Sequence, residues 1–175
     1  MEIHCSKCGE LHDLSEMEPT YDYPDAYLAL PESERASRTF LSSDLDACAV
    51  YDPATRTADH YLRVVMPIPV RGEVDSRPCC WGVWVRVSER DFERTIELWT
   101  DPDQEIEPPM PATLANDIIE YRPCLGLSGL MRLSGPRTRP FFHLDGDVAH
   151  PLVIEQQSGV YPERVVEWLV RRIHD

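Results

Sequence analysis

From Cys79 to Val87 the chain alternates, with Trp81, Val83, Val85 and Val87 on one side and Gly82, Trp84 and Arg86 on the other. That is the two-residue period of a strand with one face in a core. The period then lengthens. Ser88, with Asp91 three residues on, resembles a capping box, and Phe92, Ile96 and Trp99 recur at helical spacing until Asp101-Pro102 stops the helix. Upstream, Ala47-Cys48-Ala49-Val50 is a short apolar run closed by Asp52-Pro53, and Tyr61 to Val70 reads as a second strand. Pro67 and Pro69 donate no ladder bond, so that strand is expected at an edge over its second half.

Downstream, prolines at 108, 109 and 111 mark a loop, and Ala112 to Tyr121 reads as a short helix before Pro123. Leu127 to Leu133 and Pro140 to Leu144 form an expected antiparallel pair through Gly135-Pro136. Pro151 and Gly159 frame a helix from His150 to Ser158, as proline and glycine do at helix starts and ends. Pro162 opens the last helix, with an apolar stripe of Val165, Val166, Leu169, Val170 and Ile173. Leu14 to Ser43 is polar and proline-bearing, a loop with one short helix. Strands and helices do not alternate regularly as in a parallel doubly wound sheet. The expected class is α+β: a mainly antiparallel sheet flanked by short helices, with an N-terminal cysteine-rich knuckle over residues 1–13 and a C-terminal helix. The 175 residues suit one domain, with its α+β core over residues 44–175.

Charge narrows the partners. Thirty-one acidic against 17 basic side chains give a net charge of −14, which repels a phosphate backbone, and no basic cluster offsets it, so nucleic acid is not an expected partner. A basic protein would suit the surface better. No apolar stretch approaches the roughly 20 residues needed to cross a bilayer, and the start, Met1-Glu2-Ile3-His4-Cys5, lacks the basic lead and apolar run of a secretory signal. A cytoplasmic protein is expected, with its oligomeric state left open.

In a reducing compartment the six cysteines read as buried side chains or metal ligands. Cys5 and Cys8 followed by Gly9 form half of a zinc site, two thiolates on one tight turn, and His12 adds a third ligand from the same segment. A fourth would come from Cys48, Cys79, Cys80, Cys124, His150 or solvent. A closed fourth position makes the zinc structural, an open one makes it catalytic, and without metal the pair is packing or redox thiols. Cys79 and Cys80 beside Trp81 read as packing.

Three further residues bear on binding. His150 precedes the proline of a helix start, where backbone N–H groups help to hold an anion, and Gln156 lies nearly two turns along the same helix; the alternative is a histidine that caps or packs locally. Trp84, on the second face of its strand beside Gly82, either lines a groove or is a core aromatic. No nucleophile elbow, paired glycosidase carboxylates, phosphate-cradling glycine loop or zinc-protease helix is present.

Five blocks together resemble the bacterial family catalogued as domain of unknown function 2199. They are Cys5-Ser6-Lys7-Cys8-Gly9 with His12, Ser43-Asp44-Leu45, Ile68-Pro69-Val70, Trp81-Gly82-Val83-Trp84-Val85, and His150-Pro151-Leu152 with Gln156 and Gly159. The resemblance runs nearly end to end and implies a domain without an assigned reaction. The chain departs from it at Asp46, where a cysteine is usual, with Cys48 two residues on. The functional expectation is a non-enzymatic binding or interaction protein with a structural zinc knuckle. The alternatives are a metal-dependent enzyme with an open zinc site and a thiol redox protein.

Overall fold

The computed structural model describes residues 2–4, 11–13, 18–72 and 77–172, with backbone alone for 2–4, 11–13 and 172. Strands β1 (Glu2–His4) and β2 (Leu11–Asp13) pair as an antiparallel hairpin. Cys5 and Cys8 of the expected zinc knuckle, and the side chain of His12, lie outside the described residues. Two short helices follow, α1 (Asp25–Leu28) and α2 (Glu32–Arg38). They lead into β3 (Thr39–Ser42), β4 (Ala47–Asp52), β5 (Thr57–Ile68) and β6 (Cys79–Val87). Then come α3 (Glu89–Leu98), β7 (Met110–Leu114), β8 (Ser128–Arg132), β9 (Phe141–Leu144), α4 (Pro151–Ser158) and α5 (Pro162–Arg172).

The sheet runs β3-β4-β5-β6-β7-β8-β9, antiparallel between sequence neighbours, and β9 also pairs with β5 in parallel. The last five strands therefore close into a barrel, with β3 and β4 as two extra strands. This corrects the expected antiparallel sheet flanked by helices: the sheet is mixed and turns back on itself. The cause is the length of β5. Twelve residues reach about 40 Å in extended form, twice the span of the six-residue β4. β4 pairs only with Thr57–Leu62, and beyond that the same edge is open to β9. The change of partner is abrupt: the Arg63 N–H donates to Asp46 O at 2.8 Å and the Val65 N–H to Pro140 O at 2.8 Å.

Alternation on β5 sends Leu62, Val64, Met66 and Ile68 inward against Trp81, Val83 and Val85 of β6. Pro67 and Pro69 point their nitrogens to the edge away from β6, where pairing with β9 has ended. There the Pro67 carbonyl accepts from Gln156 Nε2 at 3.4 Å and the Pro69 carbonyl from the Val160 N–H at 2.9 Å, so the missing donors cost nothing. Residues 110–114, partly expected as helix, form β7 instead, because Met110, Ala112 and Leu114 alternate inward with Pro111 outward. The helices add Phe92, Leu152, Val153 and Trp168 to the core, where Trp168 meets Trp81 edge to face at 5.3 Å. The Ser88 hydroxyl caps α3 by accepting the Asp91 N–H at 3.1 Å.

Candidate functional site

The alternation that buries Trp81, Val83 and Val85 turns Gly82, Trp84 and Arg86 to the outer face of the barrel, where β5 presents Tyr61 and Arg63 and β4 presents Cys48. Trp84 is nevertheless only 2% exposed. It is covered by a strap, residues 18–30, laid across β6. The Gly82 N–H donates to Pro19 O at 2.9 Å, the Tyr21 N–H donates back to Gly82 O at 2.8 Å, and Trp84 Nε1 donates to Tyr21 O at 3.1 Å. The approach is close enough that a Cβ at Gly82 would sit 2.5 Å from Thr20 Oγ1. Buried Asn116 fastens the other end: its Oδ1 accepts the Trp84 N–H at 2.8 Å, while Nδ2 donates to Tyr23 O at 2.9 Å and Asp25 Oδ1 at 3.1 Å. Under the strap, Cys48, Tyr61, Trp84 and Ala115 form a second apolar cluster, separate from the barrel core.

Beside Trp84 lies a cavity of about 430 Å³ lined by both polar and apolar atoms. It opens where β4 leaves β5 and β9 takes over. Asp46, in the left-handed region with φ 47°, a conformation aspartate tolerates better than most residues, turns its carboxylate towards the seam. Arg139, just before β9, meets it with both sides of its fork, Nε to Oδ2 at 2.9 Å and Nη2 to Oδ1 at 3.2 Å. Arg63 stands opposite Trp84 in the ladder. Its Nη1 is 3.9 Å from Asp46 Oδ1, its Nη2 donates to Thr20 Oγ1 at 2.6 Å, and the same nitrogen is 3.6 Å from Asp22, which is exposed. Arg63 Nε is buried and has no acceptor among the described residues. Burial first, and then the positive charge of Arg139, lower the Arg63 pKa, against the opposing pull of Asp46 and Asp22. Two carboxylates thus lie within 4 Å of the guanidinium, and what it lacks is an acceptor for Nε. Leu41, Ser42, Ser43 and Tyr23 complete the walls.

A family model described as an uncharacterized protein conserved in bacteria, DUF2199, matches residues 4–160. The chain belongs to this family. No curated protein and no solved structure matches it. The blocks on which the family resemblance rests sort into two sets in three dimensions. Ser43 and Trp84, from the second and fourth blocks, meet in the polar cavity. Pro69, Gln156 and Gly159, from the third and fifth, meet where α4 packs on the end of β5. Gly159, at φ 75°, could not carry a side chain there, since a Cβ would lie 2.9 Å from Pro69 O. The first block falls largely outside the described residues.

Trp84 therefore reaches the cavity, whereas His150 and Gln156 do not line it. His150 caps α4: its Nδ1 accepts the Leu152 N–H at 3.2 Å, which leaves Nε2 to donate to Pro123 O at 3.1 Å. Gln156, 7% exposed, accepts the Leu144 N–H at 2.8 Å and donates to Phe142 O at 3.0 Å, besides its bond to Pro67. It closes the gap between β5 and β9 below Val65. Among the cysteines named as fourth metal ligands, Cys48, Cys79 and Cys124 are buried with thiol pKa values pushed up to about 12 by burial, and half-buried Cys80 to about 11. These thiols are protonated at neutral pH, the opposite of an activated thiolate. No group of three or more His, Cys, Asp or Glu side chains poised to hold a metal occurs among the described residues. Sequence reasoning missed Arg63 and Arg139. The signal available was Asp46, an acidic residue where the resemblance leads one to expect a cysteine.

Proposed function

We propose that the chain is a non-enzymatic binding protein whose polar cavity holds a small polar ligand through an oxyanion, a carboxylate or phosphate. The observation that carries this reading is Arg63: its side chain is 16% exposed, its buried Nε lacks an acceptor among the described residues, and it lies with Arg139 in the lining of the cavity. Buried cationic donors without acceptors are costly, and an oxyanion in the cavity would supply the missing acceptor. Asp46 holds the two guanidiniums in place for it, and Trp84 provides the apolar floor. The test is titration calorimetry with acetate and inorganic phosphate on the full chain, alongside Arg63→Met, which keeps much of the stem and removes the fork. Saturable binding by the natural chain, lost in the variant while its unfolding midpoint stays within a few degrees, supports the reading. Equal binding by both proteins, or none by either, overturns it.

The zinc knuckle remains a separate proposal, carried by the sequence motif Cys5-Ser6-Lys7-Cys8-Gly9 with His12. Elemental analysis of untagged protein should find about one zinc per chain, lost in the Cys5→Ala, Cys8→Ala variant; metal-free protein would sink it. No helix among the described residues is long and apolar enough to cross a membrane, and a cytoplasmic location is proposed with the reducing chemistry of its thiols.

A further inference from the structure

On the other side of the Tyr61–Trp84 cluster lies a second cavity, of about 470 Å³, within the roughly 300–1,000 Å³ of small-molecule sites. Its walls are Tyr61 from β5, Leu114 and Ala115 from the end of β7, and Ala26 and Ala29 of the strap, with Leu125 and Gly126 at the mouth. We propose that this cavity is a second binding site, for a small, uncharged and largely hydrocarbon molecule bearing one hydrogen-bond acceptor.

Three features argue for an occupant of that class. Three of the lining side chains are small, and the space they leave is not filled by the chain itself: Ala26, Ala29 and Ala115 contribute one methyl each. Gly126, held at φ 82°, faces open space, since a Cβ there would meet nothing within 4 Å. The surface of the cavity is mostly apolar, and apolar cavities hold water poorly while accepting hydrocarbon. The charged groups at its rim already have partners. Both Asp25 oxygens are engaged, Oδ1 by Asn116 Nδ2 at 3.1 Å and Oδ2 by the Asp117 N–H at 2.8 Å. Arg86 pairs with Asp59 at 3.5 Å. Asp25 already accepts two N–H groups and Arg86 already faces a carboxylate, so a charged ligand would bring a desolvation cost that the mostly apolar lining does little to offset. Arg86 retains further N–H groups that can reach one neutral acceptor at the rim.

The test uses ¹⁵N-labelled full chain titrated with benzyl alcohol, benzoate and benzylamine, three probes of similar size and different charge. Benzyl alcohol should shift the amide signals of Thr113, Ala115 and Gly126 saturably, and more tightly than either charged probe. Ala29→Phe, at an exposed position just after α1, places a ring in the space and should abolish those shifts while leaving the rest of the spectrum unchanged. Ala26→Leu, from the preceding turn, is the second blocking variant should the first disturb the strap. No saturable shift with benzyl alcohol overturns the proposal, as does tighter binding of benzoate or benzylamine, or shifts that persist in both blocked variants. Concentration-dependent dimerisation abolished by Ala29→Phe would also overturn it, by assigning the cavity to a second copy of the chain. Because neither blocking substitution touches Arg63, Asp46 or Arg139, its failure is separable from that of the oxyanion site.

Discussion

The two cavities back onto one cluster of four side chains, lie under one strap and differ by only about 40 Å³ in volume, yet their chemistry is opposite. The one beside Arg63 sits where the sheet changes partners, and the parting of β4 from β9 leaves backbone ends and charged side chains facing each other across a gap. The one beside Tyr61 sits over continuous ladder, β5 to β6 to β7, and its lining is mostly apolar, with Arg86 and Asp25 at the rim. A seam in a sheet thus concentrates polarity. An unbroken sheet face covered by a strap concentrates apolar surface.

The largest effect that could break this comparison is expected from the cluster between the cavities. Trp84→Ala should lower unfolding free energy by about 3–5 kcal/mol, as for other buried large-to-small changes, remove binding in the cavity it lines, and weaken binding beside Tyr61 by loosening the strap. A loss below about 1 kcal/mol in urea denaturation would mean that the strap does not pack on the indole as a wall. Substitutions confined to one side, Arg63→Met and Ala29→Phe, should then act on one cavity each.

The smaller effect is a matter of pH. Burial raises the Tyr61 hydroxyl from its ordinary 10.0 to about 12 and the Cys48 thiol beneath the same strap from 9.0 to about 12. The folded state therefore favours the protonated, neutral forms. The stability this represents is fully present below pH 9, where both groups are also protonated in the unfolded chain, and declines as pH rises through 9–10 towards 12. Urea midpoints measured from pH 8 to 11.5 should fall, and Tyr61→Phe should flatten the part above pH 10 by up to about 1.4 kcal/mol per pH unit. An unchanged slope would show that the phenol is not held neutral by its surroundings.

Much of the local structure was legible because it rests on short-range patterns. The alternation in 79–87 placed Trp81 inward and Trp84 outward, Ser88 and Asp91 marked the start of α3, and Pro151 and Gly159 bounded α4. The first strand of the barrel extends further back than its apolar pattern, because Thr57–His60 buries no side chain and is held by edge pairing with β4. Residues 110–114 were read as helix in part because three prolines obscured a two-residue period. Among the candidate site residues, Trp84 was legible as an outward aromatic beside a glycine, while His150 and Gln156 turned out to be occupied by backbone partners that no spacing announces.

The amino-acid order by itself determined most of the elements, the inward faces of those strands and helices, the net charge of −14 and the family. Each depends on residues within a few positions of one another or on a sum over the chain. Closure of the barrel needed β5 to pair with β9, where the Val65 N–H reaches Pro140 O, 75 positions away, just past its last bond towards β4 at Arg63. The polar site needed Asp46 and Arg139, 93 residues apart, to meet across the resulting seam. Such contacts form only after the whole sheet has taken its register, so the side chains that line each cavity are set by tertiary structure.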